Sequence, residues 1–510
     1  MRGLITPATR SLSLATLLCG LCSFSGCDWR PESPRSAEVR IAVTAAPSIP
    51  DPQKATTLMA QTLARHLYEG LTRVDAEGTA QPALSDHWSH TPDLRTWRFH
   101  LRPSKWSDGS PLVAGDFVRA VECAVCSTPP LEGVGSMMQL SGVQAYLEGN
   151  HEITLGCRAL SADEVEFSWI QPQPEAQQLV AAPALFPRPP HSDLGNGPFL
   201  VDQWEPGSSL HLRRNDQFWN SQAVHLDAVE FIAMEELAAM EAYENSEVDW
   251  CGGPLGDLAH PGLLAHRPDF WSQPMAGTVW LRCNTLKPPL DSAAHRHRVA
   301  KAVHPQQLAQ MVLHGHQRAA VELVPPCLSL GSTPTPQLDE PALSAPLELS
   351  MIIISRTQRV AIATILQQQL LQAGIHCRLV PCESKIFFER MRTGDYQLAL
   401  SDWIADNLIA EEFLEPFSIA THPANRTGWS DPRIADLLGA SKLSQGPART
   451  EALSKAQAII QEGAPVVPLY HHAAMALVRP GLAGAFMSPL GGLDLTSAYW
   501  ITDAGQSAAP

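Results

Sequence analysis

Apolar and polar positions along the chain follow two periods. Over Thr96 to Leu101, TWRFHL, the residues Trp97, Phe99 and Leu101 recur at every second place, which predicts a half-buried strand. Upstream, LARHLYEGL predicts a helix ending at Gly70, Glu77-Gly78 a turn between short extended segments, and Pro82 the start of another segment. Asp108-Gly109 predicts a tight turn, and the run Phe117, Val118, Ala120, Val121 behind Ala114-Gly115-Asp116 predicts a helix start. Residues 196–220 read as strand, turn at Pro206-Gly207, strand, and an aromatic end at Phe218-Trp219.

Farther along, the pattern changes. Leu347 to Ser355, LELSMIIIS, is a continuous apolar strand, and Thr357 to Ala373 sets Val360, Ala363, Ile365, Leu366 and Leu370 near helical spacing before Gly374 stops the helix. A strand over Ile375 to Val380, a helix around Phe387 to Arg392, a turn at Gly394-Asp395 and a strand over Gln397 to Trp403 follow. This order predicts an α/β lobe with a mostly parallel sheet. Ligands in such sheets bind beyond the carboxyl ends of strands, which here means Ile404, Ala405, Asp406 and Asn407. Two amphipathic helices and a strand over Pro465 to Tyr470 complete the pattern.

Length adds that one core is not enough: 510 residues exceed the roughly 250–300 at which a single core stops growing. Apolar residues at 45 % and charged ones at 17 % are a globular balance. Net charge is −16, and −18 without Arg2 and Arg10, because residues 1–26 carry no acids; such a surface disfavours nucleic acid and anionic membranes as partners. Arg2 and Arg10 precede an apolar stretch, Leu12 to Phe24, that is short for a membrane span, so residues 1–26 read as a signal peptide. Phe24-Ser25-Gly26-Cys27 is similar to a bacterial lipobox, which makes Cys27 the lipidated N-terminus; an ordinary cleaved signal is the other reading, and both export the chain. Asp28 resembles the residue that retains lipoproteins at the inner membrane, and residues 27–38 read as a tether. Eight cysteines remain beyond the leader region, with 105 possible pairings. The Cys123/Cys126 spacing has no second CxxC and reads as structural rather than redox or zinc-binding.

KWSDGSPLVAGDFV, together with the helix, hairpin and strand before it, resembles the extracytoplasmic peptide-binding proteins of ABC importers, the oligopeptide/dipeptide-binding family 5, closest to its oligopeptide branch. Gly197, Pro198, Trp204, Gly207, Arg214, Asn215 and Trp219 fit a second signature of that family, and VWLRCNTLKPPLD (279–291) fits its crossover into a second lobe. The resemblance covers about Val39 to Trp500. It implies an α/β, two-lobed periplasmic-binding-protein fold of the Venus-flytrap type: lobe I over 39–75, 185–275 and 480–510, an additional subdomain over 76–184, and lobe II over 276–479. It further implies a monomer without cofactor or catalysis that delivers peptide to permease subunits.

LSDWIADN resembles the family segment whose Asp, here Asp406, pairs with the ligand's α-ammonium group. Backbone groups at Trp403 and Ile404 then pair with the peptide like an added strand, Thr57 and Leu58 align with the facing segment of the other lobe, and Trp280 and Trp403 are pocket walls or core tryptophans. Leu400 stands where the oligopeptide branch carries a carboxylate-binding arginine; Arg282, Arg356 and Arg359 are candidate substitutes. Residues 318–346 form a Pro-rich connection, shorter than in relatives, along one wall. Three alternatives stay open: a nickel or metal-chelate binder of the same fold, for which His295/His297, His314/His316 and His471-His472 are the pairs; a peptide-signal receptor; and an exported hydrolase, disfavoured because GxSxG, HExxH and SxxK are all absent.

Overall fold

The computed structural model describes residues 37–501 other than 190, 192–193, 257, 259–260, 314–316, 329 and 332–344. The leader, Cys27, nearly all of the tether, His314, His316 and much of the Pro-rich connection lie outside the described residues.

Strand β1 (Glu38–Val43) leads to helix α1 (Leu58–Leu67), whose cap is Thr57: its hydroxyl accepts the Ala60 N–H. The helix ends before the expected Gly70. Leu67 O is taken by the Gly197 N–H, and the Asn196 side chain bonds both backbone groups of Glu69, so Tyr68 is already extended. Pro82 closes its segment rather than opening one, since Ala80–Pro82 pairs with Thr72–Val74 and the next strand starts at Ser85; lacking an N–H, proline suits the end of a ladder.

A four-stranded antiparallel sheet follows, from β2 (Ser85–His90), β3 (Thr96–Leu101), β4 (Cys157–Ala159) and β5 (Glu164–Ser168), in the order β2-β3-β5-β4. Trp97, Phe99 and Leu101 are buried, as their alternation predicts. Against this sheet packs α2 (Ala114–Cys126). Asp116 is the hub of its start, accepting from the Val113 N–H and the Trp106 indole while Arg119 pairs with its other oxygen. Cys123 and Cys126 lie on α2, and the eight cysteines among the described residues are all unpaired.

Nine further strands are β6 (Phe199–Glu205), β7 (Ser209–Arg214), β8 (Ala228–Ala233), β9 (Trp250–Gly252), β10 (Phe270–Cys283), β11 (Leu347–Ile354), β12 (Ile375–Cys382), β13 (Leu398–Ile404) and β14 (Val466–Val478). With β1 they form one ten-stranded sheet among the described residues, ordered β12-β11-β13-β10-β14-β9-β1-β8-β7-β6. The expected parallel unit is present, β11 pairing parallel with both β12 and β13, but β10 joins it antiparallel through β13, and β14 in turn pairs antiparallel with β10. Strand β14 runs beyond Tyr470 to Val478 because β10 offers it a partner along most of that length.

Helices α3 (Ala293–Ala302) and α4 (Thr357–Gln372) cover one face of this half, α5 (Ser384–Thr393), α6 (Pro432–Lys442) and α7 (Gly446–Gly463) the other. Met351, Ile353, Leu398 and Leu400 meet Ile362, Leu366 and Leu370, whereas Ile352 and Ala399 meet Phe387 and Met391. Burial on both faces explains why β11 reads as an unbroken apolar run.

Candidate ligand-binding site

Strands β10 and β14 serve both halves of the molecule. Phe270 to Pro274 pair with Ala473 to Leu477, where Trp271, Met275, Ala474 and Ala476 pack on the first core; Thr278 to Arg282 pair with Val466 to His471, where Val279, Leu281, Val467 and Leu469 belong to the second. Between Pro274 and Thr278 the register breaks. A cavity of about 710 Å³ opens at this break, with Glu77, Gln273, Arg318, Cys327, His471 and His472 among its lining residues.

From the adjacent core β13 rises into the same region. Leu398 to Ser401 are buried, Asp402 and Trp403 half-buried, and Ile404 exposed. Asp402 on β13 and His472 on β14 flank β10, and they meet across Gly277: His472 Nε2 lies 3.2 Å from Asp402 Oδ2, and a Cβ at Gly277 would come within 2.8 Å of His472 Cδ2. Arg359 Nη2 donates to the same oxygen at 2.8 Å. Burial alone would raise the Asp402 carboxyl, but the His472 hydrogen bond and the Arg359 charge outweigh it and hold the group well below the usual range. His471 points the other way, as adjacent strand residues must. Thr278 Oγ1 donates to Leu323 O, so it accepts from His471 Nδ1, 2.9 Å away. Burial, with the charges of Arg318 and His472, lowers His471 to about 4.

Asp406 stands just past β13. Its backbone is fixed, its N–H donating to Glu412 Oε2 at 2.7 Å, while Glu412 Oε1 accepts the Asn407 N–H at 2.9 Å and Asn407 Nδ2 at 2.8 Å. Its carboxylate is exposed and accepts no hydrogen bond among the described residues. Burial, aided by the Asp406 charge and opposed by the bonds from Asn407 and the Asp406 N–H, raises Glu412 to about 7.

The structure thus brings Trp403, Ile404 and Asp406 together on one strand end and ties Arg359 to that strand through Asp402. Trp280 and Arg282 lie on neighbouring β10, 2 % and 3 % exposed, and both donate to Ser401 Oγ. Arg356 is the exposed residue before α4. Thr57 is exposed and Leu58 half-buried at the start of α1. Sequence reasoning missed Arg318, Asp402 and Glu412. Arg318 is exposed at the cavity and forms no ion pair among the described residues. His472 was legible only as half of a histidine pair that does not converge. His295 and His297 are likewise spent on carbonyls, of Pro289 and Glu462.

The chain is similar to the oligopeptide-binding protein OppA of Bacillus subtilis, 25 % identical over 531 residues and covering 95 % of this chain and 97 % of the relative. It is also similar to the probable deoxycholate-binding periplasmic protein YgiS of Escherichia coli, 27 % identical over 482 residues, 86 % of this chain and 88 % of the relative. Among solved structures it superposes on the unliganded open form of the periplasmic murein tripeptide binding protein MppA with a TM-score of 0.82 at 22 % identity, covering 92 % of this chain and 98 % of that one. That likeness gives the two-lobed α/β fold. The description "bacterial extracellular solute-binding proteins, family 5 Middle" matches residues 79–425, more than half of the chain, and the chain therefore belongs to family 5 of the bacterial extracellular solute-binding proteins.

Proposed function

We propose that the chain is the substrate-binding component of an ABC importer, capturing peptides between its lobes and handing them to a membrane permease. The observation that carries this reading is Asp406, a carboxylate with no partner among the described residues on a loop whose backbone is clamped by Glu412. A cation entering a closing cleft needs an opposed charge, or its desolvation costs several kcal/mol. The α-ammonium of a peptide is such a cation. Backbone groups at Trp403 and Ile404 suit an added strand, a mode that reads length and direction while tolerating many side chains. For the peptide carboxylate, Arg318 is the cation that the cavity offers among the described residues, since Arg282 is buried and Arg359 is spent on Asp402.

Lobe I is taken as 39–75, 185–275 and 480–510, the additional subdomain as 76–184, and lobe II as 276–479, with β10 and β14 as the crossover. The likeness to an unliganded open form supports an open resting state, and a ligand touching both lobes shifts the population toward closure. The leader supports export to the periplasm, with Cys27 as lipid anchor and the protein acting as a monomer.

The test is calorimetric titration with short peptides and their N-acetylated and C-amidated forms. Acetylation abolishes binding if Asp406 takes the ammonium, and Arg318→Ala weakens free-carboxylate peptides but not amides. Binding of deoxycholate in place of any peptide overturns the substrate class.

A further inference from the structure

Outside the cleft, three side chains of the four-stranded sheet converge. His87 and His100 are direct cross-strand partners on β2 and β3, and their rings stack with centroids 4.6 Å apart and 23° between planes. On a regular strand Asp86 would face away from its neighbour His87. The register slips between Ser85 and His87, so Asp86 is the extra residue of a bulge, and a bulge re-aims its side chain. Asp86 Oδ1 consequently lies 2.7 Å from His87 Nδ1 and 2.8 Å from His100 Nδ1. One donor atom from each of the three residues lies within 4.8 Å of the other two.

A fourth group stands behind them. His100 Nε2 faces Asp163 Oδ2 at 3.7 Å, and Asp163 is itself held by the Ser161 hydroxyl at 2.5 Å. An imidazole bound to an ion through Nδ1 would direct its Nε2–H at this carboxylate, the arrangement that fixes the ring of a metal-ligating histidine. Two imidazole nitrogens and one carboxylate oxygen are a donor set for zinc-class ions rather than for calcium or magnesium. Asp86 and His87 are exposed and His100 is half-buried, which leaves further coordination positions to water.

We propose that Asp86, His87 and His100 form a surface site for one Zn²⁺ ion, with Asp163 orienting His100. The site belongs to a different sheet from the cleft, so it is separate from the solute-binding reading and stands if that reading fails.

The test is calorimetric titration of Zn²⁺ into tag-free, metal-stripped protein at neutral pH. The proposal expects one saturable site, weakened at least about tenfold by His87→Gln or His100→Gln, and about 10–100-fold by Asp163→Asn, the range for outer ligand partners. The His471→Gln/His472→Gln variant should keep the site, and circular dichroism checks that each variant is folded. Anomalous scattering at the zinc edge should place the ion among the three side chains. Absence of saturable binding, or binding that survives the His87→Gln/His100→Gln double variant, overturns the assignment.

Discussion

Replacing Glu412 by Gln asks whether the loop that carries Asp406 is fixed in advance. In the wild type the two carboxylate oxygens accept three N–H groups, from the Asp406 backbone, the Asn407 backbone and the Asn407 side chain. Gln keeps the volume but offers one acceptor oxygen. However the amide is turned, its NH₂ faces at least one N–H. Leaving such a donor unpaired costs about 1–3 kcal/mol. At about 1.4 kcal/mol per tenfold, peptide affinity should fall roughly 5- to 150-fold, because the binding-competent loop is then less populated.

The same substitution predicts a pH signature. Gln mimics the protonated acid, and Glu412 titrates near pH 7 in the fold. A ligand ammonium at Asp406 favours the ionised form. Wild-type affinity should therefore rise from pH 6 to pH 8, while the variant's stays flat. Stability moves the other way: the folded pKa lies above the unfolded value of 4.5, so the stability tied to this group is fully present below about pH 4.5 and lost as pH rises through 7. Relative to wild type, the variant should gain at most about 3 kcal/mol between pH 4.5 and pH 8. Calorimetry with one peptide at three pH values, paired with urea denaturation, measures both. Wild-type affinity in the variant at pH 8, or an unchanged pH dependence, would refute the clamp.

Other substitutions probe the strand crossing. Asp402→Asn removes the counter-charge of Arg359 and the carboxylate partner of His472 at a half-buried position and should cost about 1–2 kcal/mol in urea denaturation at pH 7. Gly277→Val drives a Cβ into His472 and Ile404 and should cost about 1–3 kcal/mol, measured the same way, and weaken peptide binding. His471 has a folded pKa near 4 against 6.5 unfolded, so the unfolded chain takes up the proton first and stability falls as pH drops from 6.5 to 4. His471→Asn should flatten that slope by up to about 3 kcal/mol across the window, read from denaturation midpoints.

Much of this was legible in the residues themselves. The alternation of TWRFHL placed Trp97, Phe99 and Leu101 in a core, and the run through LALSDWIADN placed Asp406 past a buried strand. Both are local patterns, set by the period of one strand. What escaped sequence reasoning depends on which strands become neighbours. His472 reaches Asp402 only because β10 adds antiparallel to the parallel unit, β14 adds antiparallel to β10, and Gly277 on β10 leaves a gap between the two side chains. Arg282 and Arg318 look alike in the sequence, yet one is sealed against Ser401 and the other opens on the cavity. Likewise α1 stops early because Asn196 and Gly197, far along the chain, take its last backbone groups.

The most direct measurement is mass spectrometry of an acid extract of protein purified without denaturation, compared with Asp406→Ala prepared in parallel. Short peptides released from the wild type and missing from the variant are the predicted result. A non-peptide solute would contradict the substrate class, and peptides retained equally by both proteins would contradict the role given to Asp406.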